Sequence, residues 1–330
     1  MESYKPPFTI SNKMLELVSS ISEKIGKIHK LDNLNSRPYL RKNNRILSIH
    51  SSLKIEANSL SINEVRDVID GKTVLGIQKE IQEVKNAYLA YEEIPNINPT
   101  SISNLKRIHS ILTHETIEES GDFRKGNEGV FSGDKCIFVA PPPDMAKPLI
   151  SSLLSWLETN KDTIHPLILA AVFHYEFVFI HPFADGNGRI ARLWHTVILY
   201  KWRKIFEYVP IENQILKFQQ EYYNAIAKSH KNANSNIFIE FVLEMIDKVL
   251  DSTIAKINNP DIDLSKYVTK LLKCMKSNIA YSANDILNLL GLKSKETLRK
   301  NYLNPAIKLS LIEMTIPNKP RSKNQRYIKK

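Results

Sequence analysis

Cysteine is almost missing from this chain. Cys136 and Cys274 stand far apart, without CxxC spacing or neighbouring ligand types, which argues against a disulfide framework and a cysteine-based zinc site. No HExxH or Cys/His zinc spacing occurs either, so a metallohydrolase has no support. Long hydrophobic runs are also missing: the most apolar stretch, Leu167 to Ile180, is too short to span a bilayer and contains His174 and Glu176. The start, Met1-Glu2-Ser3-Tyr4-Lys5-Pro6-Pro7, has no apolar h-region, which predicts no signal peptide and no membrane partner. A reduced, cytoplasmic location is the expectation. Glycine is scarce, at 10 of 330 residues, and no internal repeat or low-complexity tract is present. With 42% hydrophobic and 25% charged residues, the composition is globular rather than disordered.

What the chain does have is helical periodicity. Leu15, Val18, Ile21, Ile25 and Ile28 form one apolar stripe between Met14 and His29. Further helices are expected over 41–58, from Ser61 onward with a Ser61–Glu64 capping box, and over 76–93, 101–114, 144–159, 166–179, 188–203, 212–230 and 234–257. The pattern breaks between Gly121 and Pro143. There Val130, Phe131, Cys136, Ile137 and Val139, with Gly133-Asp134 between them, predict a short hairpin ended by prolines. The fold class is therefore mainly α, with one small hairpin.

At 330 residues the chain suggests two or three units. Asn258-Asn259-Pro260-Asp261 is the candidate linker, giving an N-terminal helical region 1–100, a core 101–257 and a C-terminal domain 258–330. In the last, helices over 264–275, 282–290 and 294–308 precede two strands, 311–316 and 325–328, joined by the basic turn 318–324. That is the outline of a winged helix-turn-helix. The net charge of +11 is concentrated there: residues 266–330 carry 15 Lys and Arg against Asp285, Glu296 and Glu313. A solvated basic face and a nucleic-acid surface both fit this.

The chemistry-bearing segment is His181-Pro182-Phe183-Ala184-Asp185-Gly186-Asn187-Gly188-Arg189-Ile190-Ala191-Arg192-Leu193-Trp194. An apolar helix delivers His181 at its end. Gly186 and Gly188 permit a tight turn with exposed N–H groups, and a helix starting near Gly188 turns its positive end to that turn, which makes an anion site. Arg189 and Arg192, three apart, share a helix face and can reach one polyphosphate. Asp185 is a hard oxygen ligand suited to Mg²⁺. A histidine nearby can take a proton from an attacking hydroxyl. These parts suit attack on a nucleotide phosphate.

The same residues match the Fic motif H-x-F-x-[D/E]-G-N-G-R-x-x-R at every fixed position, and the chain resembles that family over most of its length. The resemblance implies a compact helical core that transfers AMP from ATP, with Mg²⁺, to Ser, Thr or Tyr of a target protein. It implies His181 as the base, Asp185 as the Mg²⁺ ligand, and Phe183, Ala184, Gly186, Asn187, Gly188 and Arg189 around the phosphates, with Arg192 on the γ-phosphate. Gly121-Asp122-Phe123-Arg124, the hairpin and Pro141-Pro142-Pro143 look like the family's flap, which lies along the target segment; Val130, Phe131, Ser132 and Gly133 would be its nucleotide-facing residues. Tyr222 and Tyr223 look like the adenine-side pair. Ser52-Leu53-Lys54-Ile55-Glu56 resembles the inhibitory motif [S/T]-x-x-x-E-[G/N], in which the Glu pairs with the second motif arginine, here Arg192. Ala57 departs from it, standing where Gly or Asn is usual. In some members this Glu positions water for AMP removal, so reversal stays open here, as does a homodimer. The C-terminal segments Asn301-Tyr302-Leu303-Asn304-Pro305 and Glu313-Met314-Thr315-Ile316-Pro317 resemble the winged-helix tail of many bacterial members.

Two decoys fall away. Gly71-Lys72-Thr73 resembles a P-loop tail, but Arg66 stands where the upstream Gly is needed, so it reads as a turn or helix end. His165-Pro166 repeats the His-Pro dipeptide without the anion loop. The rival reading from another class is a DNA-binding regulator whose core senses a nucleotide. Intact His181 and Asp185 favour the enzyme; the basic tail favours DNA contact. A third reading, phosphate or phosphocholine transfer, is disfavoured by the complete Gly186–Arg189 run with Arg192.

Overall fold

A computed structural model describes residues 4–30, 38–132, 135–258, 265–308, 311–320 and 322–329. They divide into two compact units, one within residues 1–27 and 43–251 and the other within 28–42 and 252–330. The chain is mainly helical, as its periodicity predicts. The elements up to residue 258 are α1 (Asn12–Lys30), α2 (Pro38–Ile55), α3 (Ile62–Ile69), α4 (Gln78–Glu92), α5 (Ile102–Leu112), strands β1 (Gly129–Ser132) and β2 (Lys135–Val139), α6 (Pro143–Asn160), α7 (Pro166–Ile180), α8 (Asn187–Trp202), α9 (Ile211–Lys217), α10 (Gln219–Lys231) and α11 (Asn236–Asn258).

Helix α7 is the interior of this unit. It is apolar on all sides, and its residues from Leu167 to Phe177 are all buried. A helix without a polar face must be surrounded by other elements, and α6 and α8 pack against it. Helix α8 is buried from Arg189 to Leu199. The loop joining these two central helices is therefore held from both sides, and it is the loop that carries Asp185. The capping box expected at α3 is present: Ser61 Oγ accepts from the Glu64 N–H, and the Glu64 carboxylate accepts from the Ser61 N–H at 2.8 Å. Strands β1 and β2 pair antiparallel with a register shift at Val130/Phe131. Among the described residues no helix is long and apolar enough to cross a membrane.

The second unit contains α12 (Lys266–Cys274), β3 (Ala280–Ser282), α13 (Ala283–Leu290), α14 (Lys295–Thr297), a π-helical run Leu298–Leu303, α15 (Asn304–Lys308), β4 (Ile312–Met314) and β5 (Arg326–Lys329). Its antiparallel sheet has the order β3-β5-β4. Val268, Leu271, Ile286, Leu298, Leu303 and Tyr327 close its core.

Four expectations change. The helix read over 41–58 stops at Ile55. The helix read over 212–230 breaks at Phe218, whose φ of −119° and ψ of 40° leave the helical region and whose N–H is shared between the Gln214 and Ile215 carbonyls, as is common at a helix end. The single helix read over 294–308 contains the π run, which lies just before Pro305; that residue has no N–H and its ring clashes with the carbonyl four residues back. Strand β3 adds a third strand to the expected hairpin. Asn259, Pro260 and Asp261 of the candidate linker, and Gly133, Asp134 and Arg321, lie outside the described residues.

Candidate functional site

The 181–188 loop is held by its own polar groups. His181 closes α7 in the left-handed conformation, φ 50° and ψ 58°. Its Nδ1 lies 3.3 Å from the Val178 carbonyl. A carbonyl can only accept, so in the neutral ring Nδ1 carries the proton and Nε2 keeps the lone pair. Burial, with Arg124 adding to it, holds the imidazole below its ordinary pKa, against smaller opposing effects of the Val178 carbonyl, Glu56 and Asp185. At neutral pH His181 is a neutral base. Asn187 staples the loop: its Nδ2 donates to the Phe183 carbonyl at 2.7 Å and its Oδ1 accepts from the Phe183 N–H at 3.0 Å. Gly186, at φ 80°, supplies the left-handed turn before α8, which opens without a side-chain cap.

Glu56 occupies the space above that opening. A Cβ placed on Gly188 would lie 2.4 Å from Glu56 Oε1 and 3.0 Å from Arg192 NH1. Glycine at 188 is thus what lets an oxyanion approach the first turn of α8, and in this structure the oxyanion is a carboxylate. Arg192 holds it: NH2 lies 2.6 Å from Glu56 Oε1, Nε donates to Ser52 Oγ at 3.1 Å, and NH2 donates to the Ser52 carbonyl at 3.0 Å. Burial opposes the Arg192 cation, yet Glu56 foremost among its neighbours carries its pKa above the ordinary arginine range. Arg189, also buried, lies 3.3 Å from Glu83 Oε1 and 3.2 Å from Asp185 Oδ1. Glu83 in turn accepts from Asn58 Nδ2 at 2.9 Å.

Helix α2 docks through a stripe with four-residue spacing. Asn44 Nδ2 donates to the Tyr208 carbonyl at 2.9 Å, and Ser48 Oγ donates to buried Glu212 at 2.8 Å. Ser52 and Glu56 then meet Arg192. At the helix end, the Ile55 carbonyl accepts from Gln219 Nε2 and the Tyr223 hydroxyl. The Ala57 N–H donates to the Lys54 carbonyl and the Asn58 N–H to the Leu53 carbonyl, the two bonds of a Schellman cap. That cap needs a left-handed residue at its centre, and Ala57 has φ 68°. The side chain at 57 is therefore a source of strain where glycine would have none.

The sequence-predicted residues are distributed as follows. His181, Asp185, Gly186, Asn187, Gly188, Arg189, Arg192, Ser52 and Glu56 converge on the α7–α8 loop. Phe183 is fully buried beneath it. Of the two tyrosines, Tyr222 is interior, its hydroxyl 3.0 Å from His174 Nε2, whereas Tyr223 is 43% exposed. Val130, Phe131 and Ser132 form β1, and Gly133 lies outside the described residues. The decoys sit at helix ends: Gly71 has φ 73° just after α3, and His165 is the N-cap of α7.

His109 escaped the sequence reading, and Arg124 entered it only as the last residue of the Gly121–Arg124 segment, with no contact assigned. His109 of α5 is buried and stacked on Phe183 at 3.7 Å between ring centres. Its Nδ1 accepts from the Gly121 N–H at 2.9 Å, so its Nε2–H donates to the Asp185 carbonyl, also at 2.9 Å. Burial depresses its pKa to about 4, which keeps this tautomer neutral. Arg124 donates from Nε to the His181 carbonyl at 2.7 Å, from NH1 to the Gly126 carbonyl at 2.8 Å, and from NH2 to the Pro141 carbonyl. A histidine on an apolar helix face reads as ordinary core, and only the partners reveal its second contact.

Asp185 presents a half-exposed carboxylate at the mouth of this anion site. Among the described residues no group of three or more His, Cys, Asp or Glu is placed to hold a metal ion. This donor set fits Mg²⁺, which commonly takes one carboxylate together with substrate phosphates and water.

Comparison with known proteins bears on this arrangement. The model of the Fic/DOC family matches residues 99–199, and that of the Fic-like C-terminal domain (filamentation induced by cAMP protein) matches 266–328. Protein adenylyltransferase Fic of Drosophila yakuba is 28% identical over 252 residues, covering 74% of this chain and 48% of that protein. Its namesake in Nematostella vectensis is 27% identical over 258 residues, covering 73% and 56%. The chain thus spans about half the length of the curated relatives it matches. The fold is also that of Fic-1 from C. elegans, with a TM-score of 0.60 at 22% identity over 75% of this chain and 72% of that one. A crystal structure of a Fic family protein from Desulfovibrio desulfuricans G20 is 40% identical, with a TM-score of 0.74, over 99% of this chain and 98% of that one. Identity at that level along both chains, with the motif loop set between two central helices, places this protein in the Fic/DOC family.

Proposed function

We propose that this protein transfers AMP from ATP to a Ser, Thr or Tyr hydroxyl of another protein, and that Glu56 holds the activity in check. The observation that carries this reading is the carboxylate above Gly188, held by Arg192: a site built for an oxyanion, filled from within. The relatives' names supply the reaction class. His181 Nε2 takes the proton of the acceptor hydroxyl as its oxygen attacks the α-phosphorus. The bond from that phosphorus to the β-phosphate oxygen breaks, and pyrophosphate leaves. The first-turn N–H groups of α8, with Arg189 and Arg192, hold the phosphate charge. Asp185 would hold Mg²⁺, which supplies charge neutralisation on the phosphates. The flap would align the acceptor and Tyr223 would face the adenine side. The test is incubation with α-labelled ATP and a cell lysate, followed by identification of labelled peptides. Absence of protein-bound label, also from a variant without Glu56, would refute the reading.

The strain at Ala57 bears on this control. A left-handed alanine costs about 1–2 kcal/mol, and glycine loses about 0.4–1 kcal/mol of that gain to its freer unfolded chain. Ala57→Gly should therefore tighten the docked helix by ~0.5–1 kcal/mol and lower basal adenylylation about two- to fivefold. Steady-state labelling and a small rise in Tm check this; equal activity of the two proteins would mean that the cap does not limit release.

A second reading, DNA contact, rests on the charge of the C-terminal unit. Its order of α12, β3, α13, then α14 to α15 joined through the π run, then β4 and β5 supports a winged helix. Arg299 and Lys300 are exposed on the π run, Lys323 is exposed in the β4–β5 connection, and Arg326 is exposed at the start of β5. The full chain is expected to bind duplex DNA with an affinity that falls steeply with salt, through phosphate contacts. Binding unaltered by salt, or lost equally on replacing residues outside this set, would count against it.

A further inference from the structure

The Arg124 guanidinium has an assignment to make in its own right. It is 3% exposed. Among the described residues it has no carboxylate within ion-pair reach; Glu128 acts on it only as a more distant charge. A buried cation left to backbone oxygens is costly unless its donors are well placed. Here Nε, NH1 and NH2 each reach a different carbonyl: His181, Gly126 and Pro141. The Arg124 N–H adds a fourth contact, to the Pro182 carbonyl at 3.0 Å. Gly126 lies just before β1 and Pro141 just after β2, so these are the two feet of the hairpin. The His181 and Pro182 carbonyls belong to the end of α7, where the helix dipole favours a cation and the last carbonyls lack helical partners. The hairpin itself is a two-stranded sheet with no further strand paired to it among the described residues. Such an edge can accept an extended segment.

From this we infer that Arg124 is a positioning residue: it ties both feet of the hairpin to the backbone of His181, and so sets where an acceptor segment paired with the hairpin meets Nε2. The inference rests on the transferase reading for its consequence, but not for its geometry. The planar fork explains why arginine is needed. An ammonium is a point donor and cannot reach three divergent carbonyls, so lysine keeps the charge and loses the clamp.

The test uses the full chain with Arg124→Lys and Arg124→Gln, each alone and with Glu56→Gly. Amide hydrogen exchange in 126–132 and 135–141 should speed up about tenfold or more in both variants while α7 and α8 stay protected. Self-labelling from α-labelled ATP should fall about tenfold or more, with the ATP Kd unchanged within about twofold, because the loss is on the acceptor side. The His181 imidazole, followed by NMR, answers to Arg124, Glu56 and Asp185 as its charged neighbours. Its pKa should rise in Arg124→Gln and stay in Arg124→Lys. Unchanged exchange in the hairpin overturns the inference, and so does exchange that rises equally throughout the chain with a fall in Tm. If no variant is labelled at all, the transferase reading has failed, and exchange and titration still decide the role of Arg124.

Discussion

Glu56→Gly is expected to raise adenylylation, including self-modification, by at least about tenfold, which corresponds to about 1.4 kcal/mol. Arg192 NH2 is 2.6 Å from Glu56 Oε1, so on the proposed mechanism a γ-phosphate would have to compete with this carboxylate for the same guanidinium. A charge-assisted bond of this kind contributes about 1.5–3 kcal/mol when shielded, and the 38% exposure of the Glu56 side chain argues for the lower part of that range. The substitution is clean in structural terms. Residue 56 lies beyond the last residue of α2, so glycine there does not break the helix. The Asn44, Ser48 and Ser52 contacts remain, as do those of Gln219 and Tyr223 with the Ile55 carbonyl, so the helix stays docked while its charge is removed. Glu56→Gln keeps the shape and should give a smaller gain. The measurement is steady-state labelling of wild type, Glu56→Gly and Glu56→Gly with His181→Ala. A single mutant no faster than wild type would reduce Glu56 to a surface residue.

The second large effect is expected at His181. In the Glu56→Gly background, His181→Ala should lower transfer at least about a hundredfold, within the range for loss of a general base, while the ATP Kd changes little. The anion site explains the separation: Gly188, Arg189, Arg192 and the first turn of α8 do not depend on the imidazole. The ring does contribute one structural contact, Nδ1 to the Val178 carbonyl at 3.3 Å, at the partly buried end of α7. His181→Asn, which can keep a donor to that carbonyl but offers no base, should be as inactive as the alanine variant. Activity retained by either variant would sink the proton-transfer role. The acid side follows from the depressed pKa: the imidazole is neutral through the neutral range, and activity should fall only as pH drops below that pKa and the base becomes protonated.

Much of the fold was legible because it rests on local rules. Helix α7 announces itself by an apolar surface on every side, and α3 by the Ser61–Glu64 capping box, both written in adjacent residues. The anion loop is equally local. Gly186, Asn187 and Gly188 set the turn, and Arg189 and Arg192 share a face by the three-residue spacing alone. The errors fall where a local rule met a competing one. Phe218 interrupts a pattern that reads as one helix, Pro305 disturbs another, and β3 is too short to show a period.

What the sequence by itself determined, then, is the chemistry of the loop and the helical frame that presents it, since both depend on neighbours within a few residues. The family membership follows from the same contiguous motif. Only the tertiary structure decided the partners. Ser48 and Ser52 could equally have faced water, yet one meets Glu212 and the other Arg192, each more than a hundred residues away. His109 could have been plain core, yet it braces the Asp185 carbonyl. Arg124 could have lain on the surface, yet it joins the hairpin to His181. Ala57 looked like a mere departure from a motif until its positive φ showed the strain it carries. A polar side chain on a helix or loop satisfies local rules in water or in the interior alike. Which of the two it adopts is set by groups brought near by the packing of α2, α7 and α8, and no spacing along the chain encodes that distance.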